Sequence, residues 1–395
     1  MLDQEFHLDR PLRWGMVGGG KSSEIGYIHR NSAARDGLFT LVAGAFDVNF
    51  ERGKEFGVNL LVEVDRCYID YKEMFAKEAL RADGIEAVTV ATPNFLHYEV
   101  SKAALKAGLH VICEKPLCFT VAEAEELKQL AFEKQRMFGV SYGYTGSAMV
   151  HQARKMIEQG DIGEVRIINM TFAHGFQTEA VEAQSEGTKW RVSPKTAGPT
   201  YVLGDIGTHC YYMAETMVPG LKVNKLMCSR QSFIKSRAPL EDNAFVLMEF
   251  DGGAVGNLWA SSVNNAGSTH QQKIRVIGSK ASIEWWDEHP SQLRYEVQGK
   301  PVQIMEKGMD YLYLEDEMVA SNRMGSGHAE GLFEAWAMLY RRFGTAIGRL
   351  NKGEKLENIL KTLWVPSVVD GTEGVRFLEN CVRSADNGST WVDYR

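Results

Sequence analysis

The sequence predicts an α/β chain of two domains, the first built on a parallel sheet and the second on a large, mostly antiparallel open sheet. Two patterns predict this. Up to about residue 140, short apolar runs alternate with helical stretches, the pattern of parallel βαβ units. From Gly163 onward, strand-like runs follow one another with turn signals between them, the pattern of an antiparallel sheet. A length of 395 residues suits two domains with sizeable cores. The division is expected at 1–142 and 143–395.

Leu12–Val17 reads as a buried strand ending in glycines, and Ser22–Asp36 as a helix. Phe39–Phe46 is a second strand, followed by Asp47. Ile85–Ala91 is a third, followed by Thr92-Pro93-Asn94. Tyr98–Ala107 is a helix stopped by Gly108. Leu109–Cys113 is a further strand, and Val121–Gln135 a helix. After a helical stretch at 148–160, strand patterns cover Glu164–Ala173, Lys225–Ile234, Asn243–Phe250, Ala254–Ser262, Gln272–Gly278 and Ala281–Trp286. Asp251-Gly252-Gly253 and Gly278-Ser279-Lys280 are hairpin signals. Further helices are expected at 206–218, 329–348 and 369–384.

Composition narrows the classes. Apolar residues make up 44% and charged residues 24%, the balance of a globular enzyme. The net charge of −7, with no long run of one sign, argues against nucleic-acid and anionic-membrane partners. No stretch approaches the ~18 apolar residues of a membrane span. The acidic start Met1-Leu2-Asp3-Gln4-Glu5 lacks the features of a secretory signal, so a cytoplasmic location is expected. Cysteines at 67, 113, 118, 210, 228 and 381 show no C-x-x-C spacing. They read as reduced core thiols, and no metal site is expected.

The residues that carry chemistry fall at element ends. Ligands of an open parallel sheet bind at the carboxyl ends of its strands. Gly18-Gly19-Gly20, Asp47, Thr92–Asn94 and Glu114-Lys115-Pro116 all stand there. Glycines let the backbone turn tightly against a pyrophosphate while the next helix offers its N–H groups. The usual fingerprint has glycine three residues after Gly20, where this chain has Ser23; Gly26 follows later, so the loop is longer than standard. Taken alone the string fits a plain turn and a dinucleotide loop equally, and its place after the first strand tips it toward the dinucleotide. Asp47 can accept from the adenosine ribose and repel a 2′-phosphate, which favours NAD over NADP, although Arg52 could serve a phosphate. His29-Arg30 reads as an exposed helix face at least as well as a cofactor contact.

In the second domain, Asp205-Ile206-Gly207-Thr208-His209 stands where a loop becomes a helix. A capping role explains Asp205 but not His209, four residues on and on the same helix face. Arg191, after Trp190, could hold substrate hydroxyls or be a surface charge. His328, in Gly325-Ser326-Gly327-His328, opens a late helix and reads first as a cap or surface residue. A lysine, an aspartate and a histidine beside a hydride acceptor suffice to oxidise a secondary alcohol. His209 suits the base, since histidine titrates near neutral pH. Lys115 stabilises negative charge developing on the substrate oxygen. Asp205 orients the substrate or offsets the lysine charge. Tyr142, Arg191 and His328 complete the candidate substrate contacts.

The glycine string, Ala91-Thr92-Pro93-Asn94 with His97, Glu114-Lys115-Pro116, and Asp205-x-Gly207-x-His209 together resemble the glucose–fructose oxidoreductase, inositol dehydrogenase and rhizopine-catabolism family. The resemblance covers nearly the whole chain. It implies an N-terminal Rossmann dinucleotide-binding domain and a C-terminal α+β domain whose open sheet builds dimers or tetramers, a homotetramer being favoured. It implies catalytic roles for Lys115, Asp205 and His209. Candidate cofactor contacts are Gly18, Gly20, Ser23, Ile25, Asp47, Thr92, Asn94, His97, Glu114 and Lys115. The long glycine loop, with Ile25-Gly26 and His29-Arg30, is similar to a subgroup of inositol and related sugar dehydrogenases. The expected function is NAD-dependent oxidation of a secondary hydroxyl of a cyclitol or monosaccharide. The alternatives are a glycoside 3-dehydrogenase, a keto-sugar reductase and, outside the enzymes, a dinucleotide-binding regulatory protein.

Overall fold

The computed structural model describes residues 6–180, 182, 189–264, 272–313 and 322–395. The chain divides into two compact units, 1–141 with 336–375 and 142–335 with 376–395. The first crossing lies beside the expected 142/143 division. The return of 336–375 to the first unit corrects that division, and its cause is an apolar stripe. Leu339, Tyr340, Phe343, Ala346 and Ile347 recur at helical spacing and are buried with Trp14, Leu38 and Phe39.

In the first unit, five parallel strands run β1 (Leu12–Gly18), β2 (Phe39–Ala45), β3 (Ala87–Ala91), β4 (His110–Cys113) and β5 (Phe138–Val140), in the sheet order β2-β1-β3-β4-β5. A lone parallel bridge joins Gly44 to Cys67 at the β2 edge. The helices are α1 (Glu24–Arg35), α2 (Phe50–Asn59), α3 (Tyr71–Glu78), α4 (His97–Lys106) and α5 (Val121–Lys134). Their starts are written in the sequence. Ser23, Asn49 and Asp70 each accept a backbone N–H as N-caps of α1, α2 and α3, and Thr120 with Glu123 forms a capping box before α5.

The second unit contains α6 (Ala148–Glu158), β6 (Val165–Ala173) and α7 (Thr208–Met217). Then come β7 (Val223–Gln231), β8 (Asn243–Phe250), β9 (Val255–Ser261), β10 (Lys273–Gly278), β11 (Ala281–Trp286), β12 (Gln292–Val297) and β13 (Gln303–Glu306). Three late helices follow in the chain, α8 (Leu332–Asn351), α9 (Leu356–Thr362) and α10 (Val368–Asp386), of which 336–375 belongs to the first unit, and the chain closes with β14 (Val392–Asp393). The nine strands are ordered β13-β12-β11-β10-β6-β9-β8-β7-β14. Among the described residues the strand pairings of this sheet are antiparallel except β6 with β9. Alternate residues such as Ile168, Met170 and Phe172, or Ala244, Val246 and Met248, fill a core shared with Met149, Val150, Ala153, Cys210 and Met213. On the other face Phe245 and Leu247 are 50% and 42% exposed. Among the described residues no helix is long and apolar enough to cross a membrane.

Candidate active site

The candidate dinucleotide contacts lie in the first unit. Gly18 and Gly19 have φ of +77° and +65°, the left-handed region that favours glycine. A Cβ on Gly18 would stand 2.5 Å from the Ala91 carbonyl oxygen, and one on Gly26 would collide with the Gly19 backbone. Gly26 therefore lets α1 close on the loop, the packing role of the missing fingerprint glycine. Ser23 has a different use there: its hydroxyl caps α1, accepting from the Gly26 N–H at 3.1 Å. Ile25 follows in the first turn of α1, half-buried. A Cβ on Gly20 would meet the Phe46 carbonyl at 2.6 Å.

Asp47 stands two residues beyond β2, and its carboxylate is held from both sides by Arg52, at 2.6 and 2.7 Å. The Arg52 hydrogen bonds hold this carboxyl below the usual range. Thr92 sits at the end of β3 with its hydroxyl oxygen buried and without a hydrogen-bond partner, and Asn94 opens the turn that follows. The tight glycine turn, the capped helix start, the orphaned Thr92 hydroxyl and the acid beyond β2 fit a dinucleotide.

Two expected cofactor contacts are corrected. His97 is fully buried in the first turn of α4, and its ring nitrogens lie 2.8 Å from the Pro116 oxygen and 2.9 Å from the Thr92 oxygen. Both nitrogens are spent on tying two loops together, so neither reaches a cofactor. Glu114, 6% exposed, also points inward: its Oε1 lies 2.9 Å from His29 Nε2 and accepts from Ser141. Burial pushes this carboxyl up, but the hydrogen bond and electrostatic attraction from His29, then the Lys115 charge and the Ser141 hydrogen bond, outweigh it and hold it below the usual range. His29 is likewise buried, not on an exposed helix face. Lys115 follows Glu114, half-buried, and its peptide bond to Pro116 is cis.

Asp205, His209 and their neighbours lie in the second unit. The helix carrying Asp205 and His209 starts earlier than expected, with a π-helical turn over Leu203–Gly207 running into α7. Asp205 is therefore inside the helix, its N–H bonded to the Tyr201 oxygen at 2.8 Å, and is not the N-cap. That role falls to Glu241, at the entry to β8 and 1% exposed. Its Oε1 accepts from the N–H groups of Tyr201 and Leu203 at 2.9 and 3.0 Å. Sequence reading missed Glu241, and the one available signal was an acidic pair, Glu241-Asp242, directly before an apolar strand. π-Turns inside helices recur at functional sites.

His209, 5% exposed, sits among the rings of Tyr144 (centroids 5.0 Å apart), Tyr142 (5.9 Å) and Phe172 (6.2 Å). Arg191 Nε lies 3.7 Å from Asp205 Oδ2, and its guanidinium stacks over Trp190. The second unit thus brings Tyr142, Arg191, Asp205 and His209 into one cluster. His174, beyond the end of β6 and packed on Phe172 at 6.5 Å, joins it unforeseen. His328 does not join: it lies in an exposed turn, 3.3 Å from the Gly325 oxygen, and α8 opens only at Leu332. Cys210 is buried, and burial pushes its thiol up, away from reactivity. Among the described residues no group of three or more His, Cys, Asp or Glu could hold a metal ion.

Residues 12–142 match the NAD-binding Rossmann fold of the Gfo/Idh/MocA oxidoreductase family, and residues 154–394 match that family's C-terminal alpha/beta domain. The chain belongs to this family. A member from Bacillus subtilis (strain 168), the oxidoreductase YfiI, is 54% identical over 100% of both chains. An inositol dehydrogenase homolog from Azotobacter vinelandii, solved with NAD+, is 56% identical, covers 100% of both chains and superposes with a TM-score of 0.95. The same homolog with NADH and myo-inositol gives 0.92 over 98% of this chain and 99% of that one, at 56% identity. The chain is an oxidoreductase with the family's NAD-binding domain and its large C-terminal sheet.

Proposed function

We propose that this family member oxidises a secondary hydroxyl of a neutral polyhydroxylated ring, an inositol or a monosaccharide, with NAD as acceptor. The observation that carries the reading is the cluster of Tyr142, Arg191, Asp205 and His209. It offers donors and acceptors for several hydroxyls, walled by aromatic rings and without a group of cations for a phosphate. The myo-inositol bound by the Azotobacter homolog supports the same substrate class.

Nicotinamide, when bound, supplies the hydride acceptor. The chain's own residues do the rest. His209 takes the hydroxyl proton, its ring orientation fixed by Tyr142, Tyr144 and Phe172. Lys115 donates to the same oxygen and stabilises its developing charge. Asp205, held by Arg191, accepts from a neighbouring hydroxyl and sets the ring's register. Asp47 disfavours a 2′-phosphate and favours NAD over NADP. The exposed sheet face bearing Phe245 and Leu247 is the surface we assign to assembly of a homo-oligomer, in the cytoplasm. The test is reduction of NAD and NADP across myo-inositol, scyllo-inositol, free hexoses, methyl glucosides, uronates and nucleotide sugars. Activity confined to uronates or nucleotide sugars overturns the neutral-ring assignment.

A further inference from the structure

Six side chains of the first unit form one buried hydrogen-bonded line. Trp14 Nε1 lies 2.9 Å from Thr89 Oγ1, and Thr89 Oγ1 lies 2.9 Å from the Tyr340 hydroxyl. That hydroxyl lies 2.8 Å from His29 Nδ1. His29 Nε2 lies 2.9 Å from Glu114 Oε1, where Ser141 also ends. All six residues are buried. The line runs from the middle of the sheet to the residue before Lys115.

Its direction follows from the chemistry of its first member. An indole N–H can only donate, so the Thr89 oxygen accepts. The Thr89 O–H then has Tyr340 as its side-chain acceptor, and the Tyr340 O–H is left to donate to His29 Nδ1. A ring that accepts at Nδ1 carries its proton on Nε2 and is neutral. Nε2–H donates to Glu114. Every donor in the line then meets one acceptor. The opposite assignment, an imidazolium donating from both nitrogens, turns the Tyr340 O–H toward Thr89. Thr89 then accepts twice, and its own hydrogen is buried without a side-chain acceptor.

We propose that this line is a positioning device: it holds His29 as the neutral Nε2–H tautomer and uses it, with Tyr340, to fix the ionised Glu114 beside Lys115. The link to turnover rests on Lys115 acting in the proposed reaction; the proton assignment stands apart from it. The charged and titratable groups around the pair are Lys115, Cys113 and His97 at Glu114, and Tyr340 at His29. Neutral His29 leaves Glu114 and Lys115 as the opposed charges of this strand end. Tyr340→Phe removes the donor that keeps Nδ1 an acceptor. The ring is then free to take a second proton from water and pair with Glu114 as an imidazolium.

The experiment is nitrogen NMR of the full chain labelled at histidine, with His29 assigned by the loss of its signals in His29→Gln. The wild type is expected to show one protonated and one bare ring nitrogen, the protonated one being Nε2. Tyr340→Phe is expected to disturb that pattern, giving His29 signals of mixed tautomers or of a doubly protonated ring. On the substrate found active, Tyr340→Phe should lower kcat about 10-fold and add a limb to its pH profile, with KM for NAD changed less than about 3-fold. Thr89→Ser, which keeps the hydroxyl, should show neither effect. Doubly protonated His29 in the wild type, or a Tyr340→Phe ring that keeps the wild-type pattern, overturns the proposal. If no polyol or sugar supports turnover, the functional reading fails, and the NMR result alone decides the proton assignment.

Discussion

Replacing Glu241 tests how the helix carrying Asp205 and His209 is held. One oxygen of Glu241 takes the N–H groups of Tyr201 and Leu203, and its own carbonyl takes the Val202 N–H. In Glu241→Ala the two side-chain-bonded N–H groups lose their acceptor in a buried place. Each such loss costs about 1–3 kcal/mol, so the variant should be about 2–6 kcal/mol less stable. That is a large part of a typical total of about 5–15 kcal/mol. Glu241→Gln keeps an acceptor and removes the charge. Burial pushes the Glu241 carboxyl up to about 7, against the lowering effects of its backbone donors and of Arg230. A raised folded value means that the protonated form is the one the fold favours. Its contribution is complete below about pH 4.5 and is lost as pH rises through about 7, a swing of about 3 kcal/mol. The glutamine variant lacks that slope, so it should match the wild type near pH 5 and exceed it by about 1–3 kcal/mol near pH 8. Urea unfolding at the two pH values measures both effects. An alanine variant within about 1 kcal/mol of the wild type, or a glutamine variant with an undiminished pH slope, would refute the reasoning.

Other outcomes follow from the site. Lys115→Ala and His209→Ala should each lower turnover by about 10²–10⁴ while NAD still binds, which fluorescence titration with NADH checks; near-normal turnover in both would remove them from the chemistry. Asp47→Ser should weaken NAD use and relax discrimination against NADP, and because Arg52 is then released, the NADP gain should vanish in Asp47→Ser with Arg52→Ala. Phe245→Lys with Leu247→Lys should break the assembly into smaller species by light scattering, since both lie on the exposed sheet face; a wild-type chain that is monomeric at micromolar concentration would contradict this.

The first unit was legible because its signals are local. Glycines after β1 and short apolar strands each speak for their own segment, whereas α2, α3 and the three-residue β5 were not read from it. The return of 336–375 was not, because an apolar helix stripe does not name the sheet it covers. Ser23 looked like a defect in the glycine fingerprint and is a helix cap. Asp205 looked like a cap and is not one, because the true cap, Glu241, comes from 36 residues later in the chain. His97 and Glu114 stand in the right strings, but the direction of a side chain depends on distant partners, here Pro116 and Thr92 for one and His29 with Ser141 for the other. β12 escaped notice although Leu293, Tyr295 and Val297 alternate along it, and β13 is four residues long and largely exposed.

The measurement that bears most directly on the proposed chemistry follows the hydride itself. Myo-inositol carrying deuterium on its ring carbons is incubated with the protein and NAD, and the reduced cofactor is weighed by mass spectrometry. The account predicts NADH bearing one deuterium, formed by the wild type and lost with His209→Ala. Reduced cofactor without deuterium, or none from any ring deuterated at its carbinol carbons, would contradict it.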